Sequence, residues 1–242
     1  MTPPATFPAC RDCPRFATGP PRLCLTCARS QLDLVTGGCP VCSQLLDGNG
    51  VCPNELCRTA RRRIARIHAV AYQGGPLRRV INDYKYRGGA HWPVILGRLL
   101  LAWLDETMTA DRPDLIVANP SFVGAGGQRF AHTEAVLAAA AAQDRGRWPF
   151  DRGEPAAIIK TGPTPRSADE PRWYKQFAAA DLRSALRVPD PARIAGKFVL
   201  VYDDVCTTGR QLDTVAAALL DDGGATRVEG VVLGRAPWHR RS

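Results

Sequence analysis

The sequence predicts an α/β protein: a mainly parallel sheet flanked by helices, preceded by a small Cys-rich zinc-binding module. Apolar runs alternate with amphipathic helical segments along most of the chain, which is typical of βα units. The run FVLVY at 198–202 is continuously apolar, like a strand buried on both faces. Eight of the nine cysteines precede residue 58. We therefore divide the chain into a module with an Arg-rich connector at 1–60 and an α/β domain at 61–242.

The cysteines of the module fall into four pairs, which indicates metal binding. The pairs are Cys10/Cys13, Cys24/Cys27, Cys39/Cys42 and Cys52/Cys57. Three have the Cys-x-x-Cys spacing, which lets two thiolates of one tight turn reach a tetrahedral ion, and Zn²⁺ prefers four such sulfurs in closed structural sites. We expect one or two structural zinc ions, and the spacing leaves open which pairs share an ion. A disulfide framework is the competing interpretation; the N-terminus does not resemble a secretory signal, which favours a reducing compartment.

The α/β domain begins with a strand and two helices. The segment 67–72 alternates like a strand, and Gly74-Gly75-Pro76 turns the chain. A helix follows through Leu77 and Tyr84, ending near Arg87. A second helix at about 93–105 is largely apolar and is therefore expected to be buried.

The rest of the domain continues the alternation. A strand at 115–118 leads into the turn Asn119-Pro120-Ser121, and a helix is expected from about 129 to 142. A further strand at 156–160 opens a segment rich in Pro and Gly. After the run at 198–202, an amphipathic helix and a strand at 227–233 complete the sheet.

Charge and hydropathy bound the partners. The formal net charge of +9 predicts anionic partners, either phosphate-bearing small molecules or nucleic acid. A cluster of five arginines either meets a phosphate backbone or forms a solvated face. Its members are Arg58, Arg61, Arg62, Arg63 and Arg66. The longest apolar run, 94–104, is too short to span a bilayer and contains Arg98, so we expect no membrane insertion and a cytoplasmic location.

The segment FVLVYDDVCTTGRQ at 198–211 is the most informative part of the chain. Asp203 and Asp204 follow the apolar run, at the carboxyl end of a strand, where open α/β sheets bind their ligands. Thr207, Thr208 and Gly209 offer hydroxyls and backbone N–H groups to a phosphate at the start of the next helix. An ordinary βα connection with a solvated N-cap is the competing interpretation.

This segment closely resembles the phosphoribosyl pyrophosphate (PRPP) motif of type I phosphoribosyltransferases. Together with the cysteine pairs, AYQGGPLRRVINDYKYRG and DLIVANP, in that order, it resembles the ComF family of phosphoribosyltransferase-like proteins. The resemblance spans nearly the whole chain. It implies a type I phosphoribosyltransferase-like fold and a link to natural competence, with single-stranded DNA or DNA-uptake proteins as partners.

The resemblance also implies roles for residues. Asp203 and Asp204 would contact the ribose hydroxyls of PRPP, and Lys85 would serve as a charge partner of its pyrophosphate. The 5′-phosphate would be held by Thr207, Thr208, Gly209, Arg210 and Gln211, and the pyrophosphate by Asn119, Pro120 and Ser121. Mg²⁺ would be bound through the ligand, and catalysis would consist of positioning and charge stabilisation.

Some segments depart from the family's pattern. Gln211 stands where a hydroxyl residue is usual, and Ala118-Asn119-Pro120 replaces Pro-Val-Pro. The change at Gln211 would weaken the hold on the 5′-phosphate, although backbone donors remain. The change at 118–120 affects the part that would close over the leaving group, which favours ligand binding over turnover. The enzyme class, a glycosyltransferase, is therefore left open, as is the acceptor. The alternative is a catalytically weak or inactive protein of this fold that binds single-stranded DNA or docks a partner. The oligomeric state is not predicted.

Two further residues and one segment each have two possible interpretations. His132 is either an acid/base or a capping and packing residue at a helix start. The segment 173–175 is either a mobile lid or an ordinary loop. Cys206 is expected to be a small apolar filler rather than a reactive thiol.

Overall fold

The computed structural model describes residues 32–87, 92–121, 131–163 and 175–238, and for 175–178 the backbone alone. The strands are β1 (Arg66–Tyr72), β2 (Leu115–Ala118), β3 (Ile159–Lys160), β4 (Leu186–Arg187), β5 (Phe198–Cys206) and β6 (Arg227–Arg235). The helices are α1 (Glu55–Arg58), α2 (Gly75–Arg87), α3 (Trp92–Thr107), α4 (His132–Gln143), α5 (Lys175–Ala185) and α6 (Arg210–Asp221), with a 3₁₀ turn at Pro191–Arg193.

Four strands form the central sheet in the order β1-β6-β5-β2, and every neighbouring pair is parallel. Parallel neighbours need crossover connections, which here carry helices to both faces of the sheet. The predicted α/β class with a parallel sheet flanked by helices is therefore confirmed. Strands β3 and β4 form a separate antiparallel pair of two residues each.

The central strand β5 shows how the sequence pattern builds two cores. Phe198, Leu200 and Tyr202 pack with side chains of α3 and α4 on one face. Val199 and Val201 point the other way and pack with α6. All five side chains are at most 6% exposed. Because successive side chains of a strand point to opposite faces, a continuous apolar run is required to fill both cores.

Helix α3 is the longest described helix, with 16 residues. It packs against α4 at Gly97, where a Cβ atom would lie 2.8 Å from the backbone nitrogen of Ala140. The absence of a side chain at this position lets the two helices approach closely. Within the described ranges, no helix is both long enough and apolar enough to cross a membrane.

The described part of the cysteine-rich module lies along the outer edge of β1. The backbone N–H of Tyr72 donates to the carbonyl of Asp33, and that of Ile67 to Val41. Leu34 forms an antiparallel bridge with Ala71. These contacts occupy backbone groups that an edge strand would otherwise expose. The boundary at 60/61 stays a prediction.

Several element boundaries differ from those predicted. Strand β5 continues to Cys206 instead of ending at Tyr202, because β6 stays paired with it up to Arg235. Asp203 and Asp204 therefore lie inside β5 rather than after it. The strand expected at 156–160 is reduced to β3, and the final strand extends two residues beyond the expected 233. Residues 129–130 and 173–174 lie outside the described residues.

Candidate functional site

The carboxyl ends of β5 and β2 bring the predicted site residues together. Strand β2 pairs with β5 only up to Ala118, opposite Tyr202, whereas β6 pairs with β5 up to Cys206. The last four residues of β5 thus project past β2, next to Asn119, and lead into α6. This is the edge at which parallel α/β sheets bind ligands.

Both aspartates are held by protein groups. The Nζ of Lys85 lies 2.6 Å from an Oδ2 oxygen of Asp204. The side-chain amide of Asn119 donates to Asp203 Oδ2 at 2.8 Å, and the backbone N–H of Asp204 donates to Asp203 Oδ1 at 2.8 Å. Asp203 and Asp204 are only 8% and 5% exposed. The sequence predicted acids open to a ligand; in the structure both are largely buried, and Lys85 already pairs with Asp204 Oδ2.

Burial and the neighbouring carboxylate raise the proton affinity of Asp203. Burial, followed by the neighbouring Asp204 carboxylate, raises the pKa of Asp203 to about 7. For Lys85, burial acts to lower the pKa, but the attraction of Asp204 outweighs it and the pKa is raised. Lys85 is thus held as a cation beside two acids, which suits a site that receives an anion.

An aromatic residue that sequence reasoning did not assign to the site lies within electrostatic range of Asp204. The Tyr84 hydroxyl donates to the carbonyl of His132 at 2.9 Å, and the two rings meet edge-on with centroids 5.1 Å apart. Burial, then Asp204, raises the pKa of Tyr84 to about 12. Burial, then the Lys85 charge, lowers the pKa of His132. These contacts favour the packing interpretation of His132.

The turn after β2 is tied to the first residues of α4. The Ser121 hydroxyl contacts both Glu134 Oε2 and the Thr133 hydroxyl, and the Ser121 N–H donates to Glu134 Oε1 at 3.1 Å. The Thr133 hydroxyl donates to the carbonyl of Asn119 at 2.7 Å. Pro120 is buried. Sequence reasoning did not assign Thr133 and Glu134 to the site. Their position in the first turn of a helix was the only signal that they could bind the turn after β2.

A cavity of about 700 Å³ opens beside this turn, between β2, α4 and residues 151–160. It is bordered by Ser121, Glu134 and Lys160 among mainly apolar side chains. Burial lowers the pKa of Lys160. The space has the size of a small-molecule site.

The loop from Cys206 to Gly209 leaves three backbone amides available to a ligand, although Gly209 itself is buried. Gly209 has φ +81°, a conformation that glycine adopts without strain, and a Cβ there would lie 2.7 Å from Ile67 Cδ1. Within the described part of the chain, the N–H groups of Thr207, Thr208 and Gly209 donate to no protein acceptor. The Thr207 side chain is exposed. A phosphate could therefore accept hydrogen bonds here without breaking existing ones.

The two other residues predicted to hold the 5′-phosphate lie beyond this loop. Arg210 and Gln211 are exposed at the start of α6, and the Arg210 guanidinium lies 3.3 Å from Glu55 Oε2. Cys206 is buried, as expected of a filler, and burial raises its pKa to about 12.

Four cysteines converge on the other side of this loop. The sulfur atoms of Cys39, Cys42, Cys52 and Cys57 all lie within 4.8 Å of one another. The distances Cys39–Cys57 and Cys42–Cys52 are both 3.8 Å. A tetrahedral ion with Zn–S bonds of about 2.3 Å places its sulfurs about 3.8 Å apart, so the donor set fits Zn²⁺. These neighbouring pairs converge on one site, while Cys10, Cys13, Cys24 and Cys27 lie outside the described residues.

Two buried residues that the sequence did not single out touch this cysteine cluster. The Asn54 side-chain amide donates to Cys42 Sγ at 3.4 Å, and Arg235 Nη2 lies 3.6 Å from the same sulfur. Burial acts to raise the pKa of Cys42, but Arg235 and the Asn54 hydrogen bond bring it down to about 7. Asn54 is 2% exposed and Arg235 is 0% exposed. No sequence motif identified either residue: the Arg235 contact joins positions 193 residues apart, and Asn54 belongs to no ligand pattern although it lies between Cys52 and Cys57.

Comparison with known proteins gives distant relatives. No family model matches the chain. It is similar to the protein named "DNA utilization protein YhgH" of Escherichia coli O6:H1, with 27% identity over 210 residues, covering 84% of this chain and 86% of the relative. The proteins of the same name from Escherichia coli O157:H7 and Shigella flexneri are 27% and 26% identical over the same length.

The cysteine cluster predicts a specific loss of metal. Replacing Cys52 and Cys57 together by Ser removes two of four thiolates, so the bound zinc should fall by one equivalent per chain, measured by inductively coupled plasma mass spectrometry. Cys206→Ser is the matched control and should keep the wild-type zinc content. Equal zinc in the double variant and the wild type would contradict the assignment.

The raised pKa of Asp203 predicts a pH-dependent stability difference. Between the ordinary pKa of 3.8 and the folded value of about 7, the folded protein holds a proton that the unfolded chain has lost, so stability falls as pH rises. Asp203→Asn lacks this effect. From pH 5 to pH 8, the free energy of unfolding of the variant should rise by about 2 kcal/mol relative to that of the wild type. Urea unfolding at each pH measures this difference. Parallel pH profiles of the two proteins would refute it.

Proposed function

We propose that the carboxyl edge of β5 and β2 binds PRPP together with Mg²⁺. The observation that carries this proposal is the pairing, at one sheet edge, of two adjacent acids with three outward-facing amides. Asp203 and Asp204 are suited to accept hydrogen bonds from vicinal sugar hydroxyls. The N–H groups of Thr207, Thr208 and Gly209 are suited to a phosphate. The distance between them is set by one short stretch of backbone.

Lys85 supplies the charge for the pyrophosphate end of such a ligand. An ammonium group has three N–H donors, and Asp204 occupies one of them at 2.6 Å. Moving from the carboxylate to a pyrophosphate oxygen would free Asp204 for the ribose and keep Lys85 paired. Ligand binding is thus an exchange of partners within the site.

Magnesium fits this site only as part of the ligand. Among the described residues, the cysteine cluster is the one group of three or more His, Cys, Asp or Glu side chains that converges on a common point. A protein cage for Mg²⁺ is therefore not built there. Mg²⁺ keeps several waters and is commonly bound through substrate phosphates, which suits an ion that enters with the pyrophosphate.

If the protein turns its ligand over, the site favours a positioning mechanism. The bond from ribose C1′ to the pyrophosphate oxygen would break, with the electron pair leaving on pyrophosphate. A new bond would form from C1′ to a nucleophile that gives up its proton. Lys85 and the bound ion would stabilise the charge that builds on the leaving group. The cavity beside Ser121 adjoins the turn after β2, on the side assigned to pyrophosphate.

Calorimetry with two ligands tests the proposal. Asp204→Asn removes a charged acceptor for the ribose but leaves Lys85 for the pyrophosphate. The preference for PRPP over inorganic pyrophosphate, both with Mg²⁺, should therefore fall about 10- to 100-fold. Asp221→Asn is a matched control, since Asp221 also pairs with a cation, Arg63, but lies at the far end of α6. No heat with PRPP for the wild type, or an unchanged preference in Asp204→Asn, rejects the proposal.

A second candidate function is binding of single-stranded DNA, on a different surface. The similar proteins are named for DNA utilization. Arg58, Arg61 and Arg66 are exposed, and within the described residues none of the three guanidinium groups forms an ion pair. Arg62 and Arg63 are instead engaged, with the Ile64 carbonyl and with Asp221. This patch of three arginines is free to meet a phosphate backbone.

Fluorescence anisotropy with labelled single-stranded DNA separates the two functions. Removing two phosphate contacts with Arg58→Ala/Arg61→Ala should reduce the slope of log affinity against log salt by about 1.4. The control Arg145→Ala/Arg187→Ala removes the same charge elsewhere and should leave most of the slope. An equal loss of slope in both variants would show that net charge alone governs binding, and it would reject the three-arginine patch as the DNA-binding surface.

A further inference from the structure

Two side chains join the cysteine cluster to the phosphate-facing loop. The Asn54 amide nitrogen that donates to Cys42 Sγ also donates to the carbonyl of Thr208 at 3.0 Å. Arg235 reaches Cys42 Sγ through Nη2, and through Nη1 it donates to the carbonyl of Cys206 at 2.8 Å and to that of Thr207. Three consecutive carbonyls of the loop are thus held by residues that touch one cysteine of the cluster.

Because of the geometry of the peptide bond, these carbonyl contacts determine the direction in which the amide N–H groups of the loop point. A trans peptide places the C=O of one residue and the N–H of the next on opposite sides of the chain. Because the carbonyls of Cys206, Thr207 and Thr208 point toward Asn54 and Arg235, the N–H groups of Thr207, Thr208 and Gly209 point away from them. The outward face of the loop is therefore determined by what its inner face is bonded to.

The charge of Arg235 makes this arrangement depend on the cluster. Its guanidinium is 0% exposed, and among the described residues no carboxylate lies within ion-pair distance of it. Four thiolates around Zn²⁺ carry a net charge of −2, which compensates a buried cation. Without the ion the cluster supplies less of this charge and no longer fixes the position of Cys42, and a buried cation with too little counter-charge is unfavourable.

We propose that Asn54 and Arg235 are positioning residues that couple metal binding at the cysteine cluster to the shape of the 206–209 loop. With Zn²⁺ bound, both side chains hold the loop carbonyls and the amides face outward. Loss of the ion weakens the hold of Arg235 and Asn54 on Cys42, so their bonds to the loop carbonyls loosen, and the Ala236 N–H and the Trp238 indole N–H are left as the remaining donors to the Cys206 and Thr207 carbonyls. By linkage, a ligand that needs the outward amides must in turn tighten the metal.

Hydrogen exchange tests, without any ligand of the loop, whether metal binding at the cluster affects the 206–209 loop. The amides of Asp213 and Ala236 donate to the carbonyls of Gly209 and Cys206 and so report on the loop. On stripping zinc, exchange in peptides covering 206–214 and 233–238 should rise about tenfold, while peptides of α3 change little. Unchanged exchange in the loop peptides overturns the proposal. An equal rise in α3 also overturns it, because the metal would then hold the whole fold.

The variant Asn54→Ser tests the link between the cluster and the loop without removing a metal ligand. Ser keeps an N-cap acceptor for α1 but is too short to bridge Cys42 and Thr208, and all four thiolates remain. The variant should bind zinc, yet zinc removal should change its loop exchange by less than half the wild-type amount. Asn49→Ser, in an exposed turn of the same module, should behave as wild type. A full wild-type response in Asn54→Ser refutes the role of Asn54.

The reciprocal effect is measured with PRPP and Mg²⁺, and this arm alone rests on the proposed function. Zinc release to a chromogenic chelator should be about fivefold slower with PRPP and Mg²⁺ in the wild type, and unaffected by them in Asn54→Ser. If PRPP binds the wild type without slowing zinc release, the coupling is wrong. If PRPP gives no heat at all, the proposed ligand is wrong, and the exchange experiment still decides the coupling.

Discussion

The contact between the cysteine cluster and the loop before α6 depends on a buried guanidinium. Arg235 ends β6, and its side chain lies between Cys42 and the carbonyls of Cys206 and Thr207. Where a loop leaves the sheet, its carbonyls lose their regular ladder partners, and buried unpaired carbonyls are costly. The Ala236 N–H still donates to the Cys206 carbonyl, and side chains from two distant parts of the sequence supply further bonds. The same contacts leave the amides of the loop directed outward.

The second determinant of the site is the repulsion between two neighbouring buried acids. Strand β6 extends the ladder of β5 past the end of β2, which carries Asp203 and Asp204 into the protein rather than into solvent. Lys85 and Asn119 each stabilise one of them. Such a site stores unfavourable electrostatic energy that an incoming polar ligand can relieve. Perturbed acids of this kind are common where ligands bind.

The two candidate functions use different surfaces and need not exclude each other. The acids and the loop amides lie at the carboxyl edge of the sheet. The exposed arginines run from Arg58, next to Cys57, to Arg66, the first residue of β1. Asn54 and Arg235 connect the cluster to the loop, and Arg58 of the arginine patch directly follows Cys57 in the chain. A metal bound by the cluster would act on the loop through these two side chains.

The sequence by itself determined the α/β class, the parallel sheet, the cysteine spacing that predicts metal binding, and the grouping of Asp203, Asp204 and the Thr-Thr-Gly loop. Each of these follows from local spacing: strand periodicity, Cys-x-x-Cys turns and a strand-to-helix junction. Only the tertiary structure decided that Cys39/Cys42 and Cys52/Cys57 share one site, that Lys85 covers Asp204, and that Asn54 and Arg235 hold the loop. These contacts join residues as far apart as 193 positions, and local periodicity carries no information about such pairs.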